Sequence, residues 1–221
     1  MLHHLLFLAL TSVGWYAAYR QRTSWIEPLC QKSPELCTPE TVNWLDRSFL
    51  INYHAGADFW SFVTQDLAAV LAVGVALGVA TKKKKGSLFG AELLVLLQAT
   101  SLNGVFNECI RLWIQRPRPF VFLDPVTQGG SAAHYTSFYS GHTSFAALAA
   151  ICALWSAKRA QFNRNSWMTI ALLGTLLTLF TGALRVAAGR HFITDTVAGA
   201  FFGALIAWGI NRLHQTRSPV R

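Results

Sequence analysis

Apolar residues in this chain come in long unbroken runs, not in the alternation of a strand or the narrow stripe of a surface helix. Six runs stand out: Leu2 to Tyr19, Phe59 to Ala80, Leu88 to Ile114, Gly141 to Ala157, Trp167 to Ala188 and Phe192 to Ile210. About 20 mostly apolar residues in helical form cross the hydrocarbon core of a bilayer, and every run except the short fourth reaches or approaches that length. Lipid offers no partner to a bare peptide group, so each run predicts a helix. The expected fold class is all-α: a polytopic membrane protein whose six transmembrane helices form one bundle and a single domain over 1–221, with an outer-face segment at about 20–58. The first run lacks the Lys/Arg-rich start of a signal peptide, and its one small-residue site, Ala17-Ala18, adjoins Tyr19; it is read as a retained helix.

Composition strengthens this picture. Hydrophobic residues make up 52% and charged residues 13% of the chain, about half the charged share of a soluble domain and too little to coat a globule. The net charge of +9 does not point to nucleic acid, because the basic residues form no stripe and no basic-aromatic groove. They lie between the runs: Lys82 to Lys85 after the second, Lys158, Arg159 and Arg164 after the fourth, and Arg212, Arg217 and Arg221 after the sixth. No acid accompanies them there, so the positive-inside rule places these regions and both termini in the cytoplasm. The remaining links then face outward. The longest carries Glu27, Glu35, Glu40, Asp46 and Asp58, and Trp25, Trp44 and Trp60 are expected at headgroup level. Cys30 and Cys37 lie in that segment and are expected to pair in an oxidising compartment, whereas Cys109 and Cys152 read as packing residues. No Cys/His spacing fits a zinc site, and no metal or cofactor is expected.

Ionisable groups inside membrane segments are costly and are functional candidates by default. The third run carries Asn103, Asn107 and Arg111 at intervals of four, with Glu108 a turn before Arg111, and ends in Arg116-Pro117-Arg118-Pro119. The fourth opens on Ser140-Gly141-His142. The fifth carries Thr178, Thr181 and Arg185, and the sixth opens with His191 and Asp195, again four apart. The inner charges alone set the topology, and under it all these groups fall at outer ends. Three arginines, two histidines and a carboxylate suit a phosphate: guanidinium groups bind phosphoryl oxygens in bidentate fashion, and the start of a helix at Gly141 offers free amides to an anion. One histidine suits attack on phosphorus and the other protonation of the leaving oxygen.

These blocks resemble the type 2 phosphatidic acid phosphatase superfamily, whose pattern is Lys-x6-Arg-Pro, then Pro-Ser-Gly-His, then Ser-Arg-x5-His-x3-Asp. Here they read Arg111-x6-Arg118-Pro119, Tyr139-Ser140-Gly141-His142 and Leu184-Arg185-x5-His191-x3-Asp195. Arg111, Tyr139 and Leu184 are the departures, and none removes a presumed catalytic group. The resemblance implies that His191 is the nucleophile and forms a phosphohistidine, that Asp195 orients it, and that His142 is the general acid. It implies that Arg111, Arg118 and Arg185 hold the phosphate with Ser140 and the Gly141 amide.

The expected function is a metal-independent membrane phosphatase acting at the outer face of a bilayer. Its substrate would be a lipid phosphate or diphosphate: a polyprenyl diphosphate, phosphatidylglycerol phosphate, phosphatidic acid or lipid A phosphate. A lipid-to-lipid phosphotransferase and a non-catalytic phospholipid-binding protein are the alternatives. A bacterial inner membrane, with the site facing the periplasm or outside, is the expected location; the oligomeric state is open. His3, His4, His54, His134 and His214 carry no comparable signal, and Gly199-x3-Gly203 reads as a close helix contact.

Overall fold

The computed structural model describes residues 2–215; Arg217 and Arg221, two of the basic residues used for the topology, lie outside them. Six long helices carry the fold: α1 (Leu2–Arg20), α2 (Ala55–Lys82), α3 (Ser87–Ile114), α4 (Gly141–Arg159), α5 (Arg164–Ala187) and α6 (Ile193–Gln215). The described residues form no strand. Each apolar run is a helix, with ends displaced by a few residues where capping takes over from hydropathy. Thus α2 begins at Ala55 rather than Phe59, because the His54 side chain accepts from the Ala57 amide. Helix α3 stops at Ile114, where Gln115 turns left-handed ahead of Pro117.

Four of the helices, α2, α3, α5 and α6, are long and apolar enough to cross a membrane. The other two fall short for physical reasons. His3 and His4 dilute the start of α1. Helix α4 packs against α2, α5 and α6, so it faces protein rather than lipid. Its surface is correspondingly small: Ala146, Ala147, Ala149, Ala150, Ala153 and Ala157 are all buried. Large apolar side chains instead project from the outer helices, among them Leu10, Val70, Leu172, Leu179, Val197 and Phe201.

Small residues let the backbones meet. A Cβ on Gly199 would lie 2.6 Å from the Ser140 carbonyl oxygen, and one on Gly203 would lie 2.0 Å from that of Ser144. The Gly199/Gly203 pair therefore seats α6 against the start of α4. Gly189, with φ +67°, closes the five-residue link between α5 and α6; a Cβ there would meet the Ile51 carbonyl oxygen at 2.5 Å. That turn brings the end of α5 and the start of α6 to one place. At the same end, residues 21–54 fold into short turns stapled by the Cys30–Cys37 disulfide. Ile26, Cys30 and Cys37 pack there with Leu112, Phe120 and Tyr135, and the Tyr135 hydroxyl accepts from the Cys30 amide at 2.8 Å.

The opposite end has its own charges, of which the sequence singles out Arg159 but not its partner Glu92. Glu92 of α3 accepts from Arg159 of α4, and Arg159 also donates to Asn211 of α6 at 2.8 Å. The membrane charges are thus not confined to one end.

Candidate active site

Helix direction alternates, so the end of α3, the start of α4, the end of α5 and the start of α6 converge. Asn103, Asn107 and Arg111 form one stripe along α3 that faces the start of α4. Asn103 Nδ2 donates to Ser144 Oγ at 2.9 Å, and Asn107 Nδ2 donates to the Tyr139 carbonyl at 2.8 Å. A Cβ on Gly141 would come within 3.1 Å of Arg111 Nη2 and Asn107 Oδ1, so glycine is what leaves the guanidinium its place. Ser140 caps α4, with its Oγ 2.9 Å from Thr143 Oγ1.

Among the described residues, five buried side-chain nitrogens have no hydrogen-bond partner: Arg111 Nε, Arg118 Nη1, His142 Nε2, Arg185 Nε and His191 Nε2. Buried polar groups are ordinarily satisfied. These five come from three separate stretches of sequence, and all belong to residues expected from the motif blocks. Arg111, Arg118, His142 and Arg185 line one cavity of about 590 Å³, whose remaining wall includes Trp15, Tyr19, Phe62 and Phe145. His142 stands edge-on to Phe62, ring centroids 4.3 Å apart.

His191 is fully buried. Its Nδ1 lies 2.6 Å from the Ser137 carbonyl oxygen. A carbonyl only accepts, so Nδ1 carries the proton and Nε2 presents its lone pair. Burial first, then Arg185, Arg118 and Arg111, press the pKa of this imidazole well below its ordinary value.

Asp195 does not hydrogen-bond the ring directly. Its Oδ2 is 3.8 Å from His191 Nδ1, beyond a hydrogen bond. The carboxylate is taken by three other donors: Ser137 Oγ at 2.6 Å, the Phe192 amide at 2.9 Å and Arg116 Nη1 at 2.6 Å. It therefore fixes Ser137, and the Ser137 carbonyl fixes the ring.

The flanking arginines are mostly committed. Arg116 also donates to Asp46 at 2.8 Å, and Arg190 donates to Asp58 at 2.9 Å while stacking on Tyr53. Arg185 Nη1 donates to Asp58 and, at 3.2 Å, to Ser61 Oγ, while its buried Nε has no partner. From sequence, Asp58 reads only as an acid of the outer link, and Ser137 and Arg22 are not singled out. Asp58 carried a weak signal as an acid in the first turn of an apolar run; the other two carried none. Of the remaining histidines, His54 caps α2, His134 Nδ1 lies 2.6 Å from the Gln128 carbonyl oxygen, and His4 stacks on His214 at the far end.

The model for the PAP2 superfamily matches residues 92–219. The chain belongs to the PAP2 superfamily. Phosphatidylglycerophosphatase B of Bacillus subtilis is 27% identical over 114 residues, covering 51% of this chain and 53% of that protein. Lipid phosphate phosphatase 1 of Arabidopsis thaliana is 31% identical over 137 residues, covering 52% and 42%. The chain thus spans about half the length of the curated relatives it matches. The crystal structure of a transmembrane PAP2 type phosphatidylglycerolphosphate phosphatase from Bacillus subtilis shares the fold over 100% of both chains, with TM-score 0.57 and 18% identity. A PAP2 fold with four long apolar helices makes this a multi-pass membrane protein.

Proposed function

We propose that this PAP2 chain is an integral membrane phosphatase that hydrolyses a lipid phosphate or diphosphate through a phosphohistidine on His191. The observation that carries the reading is the set of five unpartnered buried nitrogens on Arg111, Arg118, His142, Arg185 and His191. Three guanidinium groups offer N–H donors to phosphoryl oxygens, and the start of α4 at Ser140-Gly141 adds amides and a favourable helix dipole. The names of the relatives, a phosphatidylglycerophosphatase and a lipid phosphate phosphatase, support a glycerophospholipid phosphate as substrate.

The reaction runs in two displacements. The lone pair of His191 Nε2 attacks phosphorus, the bond from phosphorus to the lipid oxygen breaks, and protonated His142 gives its proton to that oxygen. Water then attacks the phosphohistidine, His142 takes a proton from it, and the P–N bond breaks to release inorganic phosphate. The three arginines stabilise the charge on the transferring group. No metal is required in this scheme. Asp195 acts through Ser137, holding the carbonyl that holds Nδ1 of the nucleophile.

All six long helices cross the bilayer in this reading as a single domain over 1–221, with both termini and Lys82–Lys85 in the cytoplasm. The site then lies level with the outer headgroups. A lipid tail stays in the bilayer while its phosphate reaches the cavity. The test is a panel of lipid phosphates scored for free phosphate. His191→Ala is expected to fold and release none; full turnover by that variant refutes the mechanism.

A further inference from the structure

The pocket wall holds a buried relay of charge outside the motif blocks. Glu108 is 3% exposed. Its Oε2 accepts from Arg22 Nε at 2.6 Å, and its Oε1 accepts from Arg22 Nη2 and, at 3.1 Å, from Arg111 Nη1. Arg22 comes from the short turn Arg22–Trp25 directly after α1, and its guanidinium lies 4.5 Å over the Tyr19 ring. Arg111 Nη2 reaches the Tyr139 carbonyl at 3.3 Å, and Arg111 Nε is left unpartnered in the wall of the cavity.

We infer that Arg22 and Glu108 are positioning residues for Arg111: Arg22 locks the Glu108 carboxylate, and Glu108 sets the plane of the Arg111 guanidinium so that its free N–H meets the phosphate. The inference rests on the phosphate-binding reading of the pocket. A guanidinium is a rigid planar fork, so fixing both Nη groups fixes the direction of Nε–H. Without Glu108, the single 3.3 Å contact to Tyr139 would leave that plane free to turn. Lysine carries a point charge with no plane to set. The relay is therefore tied to the arginine that this chain places where the family motif has lysine.

Charge alone gives the opposite sign. A carboxylate in the wall repels an anion, so on electrostatics removing it would tighten phosphate binding. Positioning requires that removing it weakens binding.

The experiment is calorimetric titration of inorganic phosphate into the detergent-purified full chain, alongside KM and kcat for a lipid phosphate. Glu108→Gln is expected to weaken phosphate about tenfold, the worth of one charge-assisted hydrogen bond, and to raise KM more than it lowers kcat. Arg22→Gln is expected to weaken it about fivefold alone and not at all in the Glu108→Gln background. In an Arg111→Lys background, Glu108→Gln is expected to change affinity less than about twofold. Phosphate affinity in Glu108→Gln equal to or tighter than wild type overturns the inference, as does an undiminished Arg22→Gln effect in the double variant. If Glu108→Gln does not fold, Arg22→Lys, which keeps the charge and loses the fork, is read in its place; unchanged affinity there overturns the inference equally. A wild-type chain that binds phosphate but hydrolyses no lipid phosphate refutes the proposed function and leaves the affinity pattern to decide the relay.

Discussion

Arg116 and Arg118 stand two residues apart on one loop, and opposite outcomes are expected when each becomes methionine. Arg116 donates to Asp195 at 2.6 Å, to Asp46 and Thr194 at 2.8 Å each, and lies 4.0 Å over the Phe192 ring. Both carboxylates are fully buried. Arg116→Met leaves them without their cation, and breaking a buried pair costs about 3–5 kcal/mol. At about 2–4 °C per kcal/mol for a chain of this size, Tm should fall by roughly 6–20 °C. Arg118 donates to the Ala133 carbonyl at 3.2 Å and to Thr136 Oγ1 at 3.1 Å, while its Nη1 is buried and unpartnered. Arg118→Met gives up two ordinary hydrogen bonds of about 0.5–1.5 kcal/mol each and relieves an unsatisfied buried donor costing about 1–3 kcal/mol. These offset to within about 2 kcal/mol, so Tm should stay within about 8 °C of wild type. Turnover of the Arg118→Met variant should fall even though its fold is kept. Losing a charge-assisted bond to phosphate, about 1.5–3 kcal/mol, lowers kcat/KM by about 10- to 150-fold in Arg118→Met. Thermal unfolding followed by tryptophan fluorescence and release of free phosphate measure the two quantities on the same preparations. An Arg118→Met protein that is much less stable yet fully active would refute the reasoning, because the unpartnered nitrogen would then have been structural.

The Asp46 carboxyl gives a pH dependence. Burial raises its pKa, but hydrogen bonds from Arg116, Thr194 and Asn43 outweigh burial and hold it below the ordinary carboxylate value. A depressed folded pKa stabilises above the unfolded value of about 3.9, and that stability is lost as pH falls through the folded value. Tm should be flat from about pH 7 to 5 and drop below about pH 4, with a shallower drop in Asp46→Asn; an unchanged slope in that variant refutes the assignment. Gly203→Ala places a Cβ 2.0 Å from the Ser144 carbonyl oxygen and should cost about 1–3 kcal/mol. Gly74→Ala, where a Cβ meets nothing within 4 Å, should be neutral or stabilising by up to about 1 kcal/mol; equal effects on chemical denaturation would contradict the α4–α6 contact. Turnover should survive EDTA unchanged, and loss in chelator that added Mg²⁺ restores would refute the metal-free scheme.

What the sequence makes legible is where a charge stands along a helix; what it hides is which partner the charge has already taken. Runs of apolar residues and the basic inner links are local signals, so the six helices follow from them to within a few residues. The motif spacings place Arg111, Arg118, His142, Arg185 and His191 at or just beyond helix ends, and packing of the helices brings the first four around one cavity. Asp58 lies 127 residues from Arg185, and Arg22 lies 86 from Glu108; no periodicity links such pairs, because packing between helices sets them. The same reason separates Arg116 from Arg118. Both are arginines beside a proline, yet one is consumed by Asp46 and Asp195 and the other keeps a free donor. Asp195 shows the limit most sharply. A spacing of four puts it on the face of His191, but Ser137, Phe192 and Arg116 satisfy its oxygens first, and the imidazole turns to a carbonyl instead. A reacting phosphate competes only for donors that the fold has not already satisfied. Under the proposed function, the arginines that hold it are those the structure leaves incomplete, and incompleteness is a property of packing that no single stretch of sequence carries.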